Sequence, residues 1–135
     1  MDRQTAIEYL LDLYENPTHR GEMPDADTSV KGGNPGCGDI VTIHLKVGAD
    51  GTVKEIRFEG EGCTISQAAA EMVSNRMEGA SLEEIETLSQ DIIIDELGRE
   101  VVISRPRCAT LALGTLKQAV QEYKVNKGHG TRVAE

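Results

Sequence analysis

The sequence has no tryptophan and one phenylalanine, and aromatic residues make up 3% of it. Any core it builds must therefore be aliphatic and rich in alanine. Basic residues are scarce beside acidic ones: 14 Lys and Arg stand against 23 Asp and Glu, a formal net charge of −9. That balance excludes a protein that tracks nucleic-acid phosphates along a basic stripe. It favours solubility and basic protein partners. No apolar run approaches the length needed to span a bilayer, so no membrane partner is expected. Met1-Asp2-Arg3-Gln4 offers no apolar signal core, and a cytoplasmic location is expected. Cysteines number three, spaced C-x25-C-x44-C. An odd count with such wide spacing does not make a secreted disulfide framework. In a reducing compartment, scattered thiols are more often buried, metal-bound or catalytic. Glycine-rich phosphate loops, H-E-x-x-H and G-x-S-x-G are all missing, as are internal repeats and low-complexity segments.

The 135 residues present fit one domain with a real core, placed over residues 1–125, followed by a flexible tail at 126–135. Residues 5–14 read as a helix with Ile7, Leu10, Leu11 and Tyr14 on one stripe, ended by Asn16-Pro17. Arg20 to Lys31 is polar and reads as mobile loop, with a short strand near Ser29-Val30 as one option. Ile40–Val47 alternates: Val41, Ile43, Leu45 and Val47 share one face. Gly48-Ala49-Asp50-Gly51 suits a tight hairpin, and Thr52–Glu59 returns as the partner strand. Gly60-Glu61-Gly62 is expected to break the sheet. A helix to Met77 follows, capped by Thr64 or Ser66, with Ile65, Ala69, Met72 and Val73 inward. Ser81-Leu82-Glu83-Glu84 spells a capping box for a short helix. Asp91–Gly98, with Ile92, Ile93 and Ile94, reads as helix or strand. A last helix after Cys108 carries Leu113, Leu116, Val120 and Tyr123, with fraying from Lys124 onward. The architecture is α+β: one helix, a small antiparallel sheet, then helices packed on one face.

Chemistry points to the cysteines. Asn34-Pro35-Gly36-Cys37-Gly38-Asp39 sets a thiol and a carboxylate two residues apart between glycines. In an extended segment both side chains point the same way. Cys63 and Cys108 stand at or just before helix starts, where unpaired N–H groups favour a thiolate and lower the thiol pKa. Arg105 and Arg107 should add to that effect at Cys108. A single cysteine is most often a small buried hydrophobe, and Cys108 beside Ala109 suits that reading equally. Cys37 suits it less, because its loop offers no apolar pocket. Three thiolates and Asp39 make four ligands, the number zinc prefers, although the paired C-x-x-C of a zinc ribbon is absent. His44, on the polar strand face, is expected to be exposed; His19 lies in the loop and His129 in the tail. The acidic run Glu83, Glu84, Glu86, Asp91, Asp95, Glu96 and Glu100 reads as a solvated helical face.

Asn34-Pro35-Gly36-Cys37-Gly38-Asp39, Gly60-Glu61-Gly62-Cys63-Thr64-Ile65-Ser66 and Arg107-Cys108-Ala109-Thr110-Leu111 together resemble the IscU/SufU (NifU N-terminal-like) iron–sulfur cluster assembly scaffold family. Asn16-Pro17 and Gly21 match its N-terminal pattern, and the resemblance spans roughly residues 5 to 125. It implies a three-stranded α+β fold in which Cys37, Asp39, Cys63 and Cys108 form one exposed site for zinc or a transient iron–sulfur cluster. It implies two kinds of partner, a cysteine desulfurase that gives persulfide sulfur and apo iron–sulfur proteins that take the product. Cys37 is the implied persulfide acceptor and Cys108 the alternative. Arg107 stands where IscU proteins carry a histidine, and Val102-Ile103-Ser104-Arg105-Pro106 replaces their Leu-Pro-Pro-Val-Lys motif. Arg-Cys-Ala-Thr-Leu is similar to SufU proteins, whereas the x44 spacing is that of IscU. The implied protein is a scaffold rather than an enzyme, with a zinc-dependent sulfurtransferase or a structural-zinc module as alternatives. A hydrolytic zinc enzyme fits poorly, because three thiolates leave zinc a weak Lewis acid.

Overall fold

A computed structural model describes residues 2–34 and 38–128. Among these, the order is α1 (Arg3–Glu15), β1 (Thr28–Asn34), β2 (Asp39–Val47), β3 (Val53–Glu61), α2 (Thr64–Met77), α3 (Leu82–Thr87), α4 (Gln90–Leu97), α5 (Arg99–Val102) and α6 (Pro106–Gly128). The strands form one antiparallel sheet in the order β1-β2-β3. The period-2 pattern of β2 sets the register: Val30 faces Ile43 and Ile43 faces Phe58, while Leu45 faces Ile56, all buried on one face. Helices α2 and α6 cover that face and pack on each other. α6 meets β1 closely, and a Cβ at Gly32 would fall 2.0 Å from Thr115 Oγ1, so this approach requires glycine.

Several expectations need adjustment. β1 is a full strand over Thr28–Asn34, longer than the short piece near Ser29-Val30. β3 runs on through Gly60 and Glu61, which pair with Val41 and Ile40, so the sheet ends only at Gly62. The β2–β3 turn forms at Gly48-Ala49-Asp50-Gly51, with Gly51 N–H donating to Gly48 O at 3.0 Å, and a register shift lies at Lys46/Val47. α1 buries Ala6 and Leu10 with Leu13 partly covered, whereas Leu11 and Tyr14 are exposed. Small Ala6 lets the helix come close, and the inward stripe rotates accordingly. Asp91–Gly98 resolves to helix: Ser89 is the N-cap of α4, and its side chain accepts the Asp91 N–H. α6 continues past Lys124, which pairs with Glu86, to Gly128. The capping box at Ser81 and Glu84 is formed.

The segment after α1 is tied down by a buried glutamate. Glu71 on α2, 4% exposed, accepts from Thr18 N at 3.0 Å, Thr18 Oγ1 at 2.8 Å and His19 N at 2.9 Å. His19 is itself buried, with Nδ1 3.1 Å from Glu71 and Nε2 3.2 Å from Glu78. His19 O accepts from Phe58 N and Gly21 N donates to Phe58 O, both at 2.9 Å. Thr18–Gly21 thus covers the outer edge of β3 and blunts it against pairing with other chains.

Candidate metal centre

Asp39 opens β2 at the end where β1 leaves it, Cys63 caps α2, and Cys108 lies in the first turn of α6. Their ligand atoms all lie within 4.8 Å of one another. The three elements converge because β3 ends at Glu61, and Gly62, with a φ of +130°, turns the chain directly into α2. A Cβ there would sit 2.1 Å from Asp39 Oδ1 and 2.8 Å from Asp39 Cα. Glycine is thus required for backbone conformation and for close approach alike.

Asp39 is 2% exposed and organises both cysteines. Its Oδ1 accepts the Cys63 N–H at 2.9 Å, doing for α2 what a capping side chain would do. The expected caps, Thr64 and Ser66, lie inside the helix; Ser66 Oγ donates to Cys63 O at 3.0 Å. Asp39 Oδ2 accepts from the Cys108 thiol at 2.8 Å and lies 3.7 Å from Cys63 Sγ. Cys63 is half-buried and Cys108 buried.

The Cys108 thiol is pushed well above its ordinary range, first by burial and then by its hydrogen bonds to Asp39 and Cys63 and their charges. This reverses the expected lowering. The helix start favours thiolate, yet a carboxylate accepting the thiol proton and the loss of water both favour the protonated form. Arg105 and Arg107 are exposed.

Two sulfurs and a carboxylate oxygen at this spacing suit zinc or iron, which accept thiolate and oxygen donors in four-coordinate shells. Of the four sequence-selected residues, the structure brings together Asp39, Cys63 and Cys108. Cys37 lies outside the described residues, as does His129. The other histidines are elsewhere: His19 in its glutamate clamp, and His44 on the outer sheet face. His44 is half-buried rather than exposed, with Nδ1 2.7 Å from Ser29 Oγ and Nε2 2.7 Å from Glu59 Oε2, a cross-strand triplet. The acidic run is largely exposed and partly paired: Asp91 and Asp95 to Arg99, Glu96 to Arg76, Glu86 to Lys124. Gly62 and Gln67 belong to the surroundings of the site, and reading the sequence did not single out either for that role. For Gly62 the usable signal was its place directly before a cysteine at a strand-to-helix turn.

Comparison with known proteins bears on what such a centre is for. The family model of the NifU-like N-terminal domain matches residues 6–129. The iron–sulfur cluster assembly scaffold protein IscU of Thermotoga maritima is 37% identical over 131 residues, covering 85% of this chain and 92% of its own. The IscU scaffold of Azotobacter vinelandii is 34% identical over 123 residues, covering 88% and 94%. Among solved structures, the N-terminal part of a nitrogen-fixing NifU-like protein from Brucella abortus matches with a TM-score of 0.74 at 18% identity, covering 87% of this chain and 93% of that one. At that identity the likeness speaks to the fold, the same three-stranded α+β arrangement.

Proposed function

Because the chain belongs to the NifU-like N-terminal domain family, we propose that it is a cytoplasmic iron–sulfur cluster assembly scaffold that accepts persulfide sulfur from a cysteine desulfurase. Cys37, Asp39, Cys63 and Cys108 form its working site. The observation that carries this reading is the meeting of Asp39, Cys63 and Cys108, from one strand and two helices, within 4.8 Å. Cys37 stands two residues before Asp39 in the sequence, the spacing on which its inclusion in the site rests.

The roles follow from the environments. Cys108 is buried and holds its proton tightly, which disfavours it as a first acceptor. Cys37 is the better nucleophile on this account. Its thiolate attacks the outer sulfur of the desulfurase persulfide, giving Cys37–S–SH and a desulfurase thiolate, with Cys108 as the alternative acceptor. Iron is then the second substrate, an external electron donor reduces the persulfide sulfur to sulfide, and the assembled cluster passes to apo iron–sulfur proteins. Asp39 contributes an oxygen among sulfur ligands, which soft metal holds less firmly, and so marks the side from which cargo leaves. Zinc, where bound, would hold the thiolates ionised and ordered.

One observation favours a second reading. Arg107, in place of a histidine, gives the SufU-like sequence Arg-Cys-Ala-Thr-Leu. On that reading the protein is a zinc-dependent sulfur shuttle that builds no cluster. The experiment is an anaerobic mixture of metal-free protein, cysteine desulfurase, cysteine and ferrous iron, followed by visible absorption and transfer to an apo-ferredoxin. A chromophore that forms and transfers supports the scaffold. A persulfide on the zinc-loaded protein without any chromophore supports the shuttle. If neither is seen, the sulfur reading is overturned and a structural-zinc module remains. Cys37→Ser, Cys63→Ser and Cys108→Ser should each abolish the positive signal while the chain stays folded.

A further inference from the structure

Gln67 stands one helical turn beyond Cys63 on α2 and is 3% exposed. Its backbone N–H closes that turn on Cys63 O at 3.3 Å. Its side-chain Oε1 accepts from Arg20 Nη2 at 2.9 Å. A guanidinium has only donors, so this contact settles which end of the carboxamide is oxygen. The Nε2 end is then a buried donor with no hydrogen-bond partner among the described residues. Native proteins hold few such groups, and each one demands a reason.

The position of the carboxamide supplies one. A Cβ at Gly60 would lie 2.8 Å from both its nitrogen and its oxygen, and 3.0 Å from Ile40 O. The carboxamide therefore meets the β2–β3 pair broadside, next to the residues that introduce Asp39 and Gly62. The carboxamide lies against Gly60 of β3, one helical turn beyond Cys63. Arg20 holds the far side, with its guanidinium 5.7 Å over the Phe58 ring and its backbone bridged to Phe58 on β3.

We propose that Arg20 and Gln67 are a positioning pair for the metal centre: Arg20 anchors the carboxamide oxygen, and Gln67 Nε2 donates a hydrogen bond to a sulfur of the loaded centre, cysteine thiolate or cargo sulfide. This rests on the metal-centre reading above. A donor aimed at a coordinated sulfur withdraws charge from it and makes it harder to protonate. The ligand then leaves the metal more slowly, and the sulfur-to-metal charge-transfer band moves to higher energy.

The test uses the full chain loaded with zinc or with cobalt(II), in wild type, Gln67→Leu and Arg20→Met. Leucine removes a buried unpaired donor, so the metal-free Gln67→Leu protein should unfold at an unchanged or higher urea concentration. Its zinc should nevertheless pass to a chelator about 10–100-fold faster, and its cobalt–thiolate band should lie at lower energy. Arg20→Met should shift both readouts in the same direction by less. Wild-type band position and release rate in both variants would overturn the proposal and leave the carboxamide as packing. If Gln67→Leu fails to fold, an unshifted band in Arg20→Met alone overturns it. A wild-type chain that shows no cobalt–thiolate band removes the metal centre itself, and that result is distinct from variants that match a wild-type band.

Discussion

Asp39 Oδ1 and Oδ2 serve different residues: the first takes the Cys63 N–H, the second the Cys108 thiol. Disturbing the ground beneath that carboxylate should therefore disturb both cysteines. Gly62→Ala forces a side chain into a φ of +130° and into Asp39. It should cost about 1–3 kcal/mol from backbone strain alone, read by urea denaturation, and zinc retention should fall with it. The Cys108 thiol supplies a second test. Its pKa is raised in the folded protein, so the metal-free native state keeps a proton that the unfolded chain releases near pH 8.5. Below that pH both states hold the proton and this group contributes no slope. Above it the unfolded state binds fewer protons than the native one, and stability falls as pH rises, by up to about 1.4 kcal/mol per pH unit. Urea midpoints of the metal-free protein at pH 7, 9 and 10 check this. Zinc must displace the same proton, so its affinity should climb over that range.

Elements defined by local rules were legible in the sequence, and elements held by distant partners were not. β2 was readable because a half-buried strand alternates residue by residue. α3 was readable because Ser81 and Glu84 satisfy each other three residues apart. Ser81→Ala should accordingly cost about 1 kcal/mol, seen as a lower urea midpoint. β1 was under-read because Val30 is its one buried apolar residue and Gly32-Gly33 weakens any strand signal. Glu71 was invisible for another reason. A glutamate in mid-helix reads as solvated, and its partners Thr18 and His19 lie more than fifty residues away in sequence. Glu71→Ala should strand two backbone N–H groups and the Thr18 hydroxyl, at a cost of about 3 kcal/mol or more. Amide exchange at Phe58, whose N–H bonds to His19 O, should accelerate with it. Of the site, Cys63 and Cys108 could be found because cysteines at loops and helix starts are unusual for packing, and Asp39 because it stands two residues from Cys37. The reversed proton affinity of Cys108 could not, since it depends on burial created by the assembled fold.

The molecule's core and its site are separate constructions. Phe58, Ile43, Leu45, Ile56, Leu113 and Leu116 anchor a continuous apolar cluster between the sheet and α2 and α6, and neither Asp39 nor Cys63 belongs to it. Metal removal should therefore leave far-UV circular dichroism and a cooperative thermal transition in place, with zinc raising the midpoint by mass action. A chelated protein that loses its helices would identify the centre as a folding staple instead. No helix among the described residues is long and apolar enough to cross a membrane. The layering of helices on one face followed from amphipathic strands and helices, and so was open to sequence reasoning from the start. The bond from the Cys108 thiol to Asp39 bears on traffic through the seam where β2, α2 and α6 meet. A proton shared by sulfur and carboxylate is a positive charge already lodged among buried acceptors. On the scaffold reading, loading exchanges that small tenant for a larger one, and delivery reverses the exchange. The carboxylate is never left bare in the interior, so cargo changes hands without the domain having to come apart.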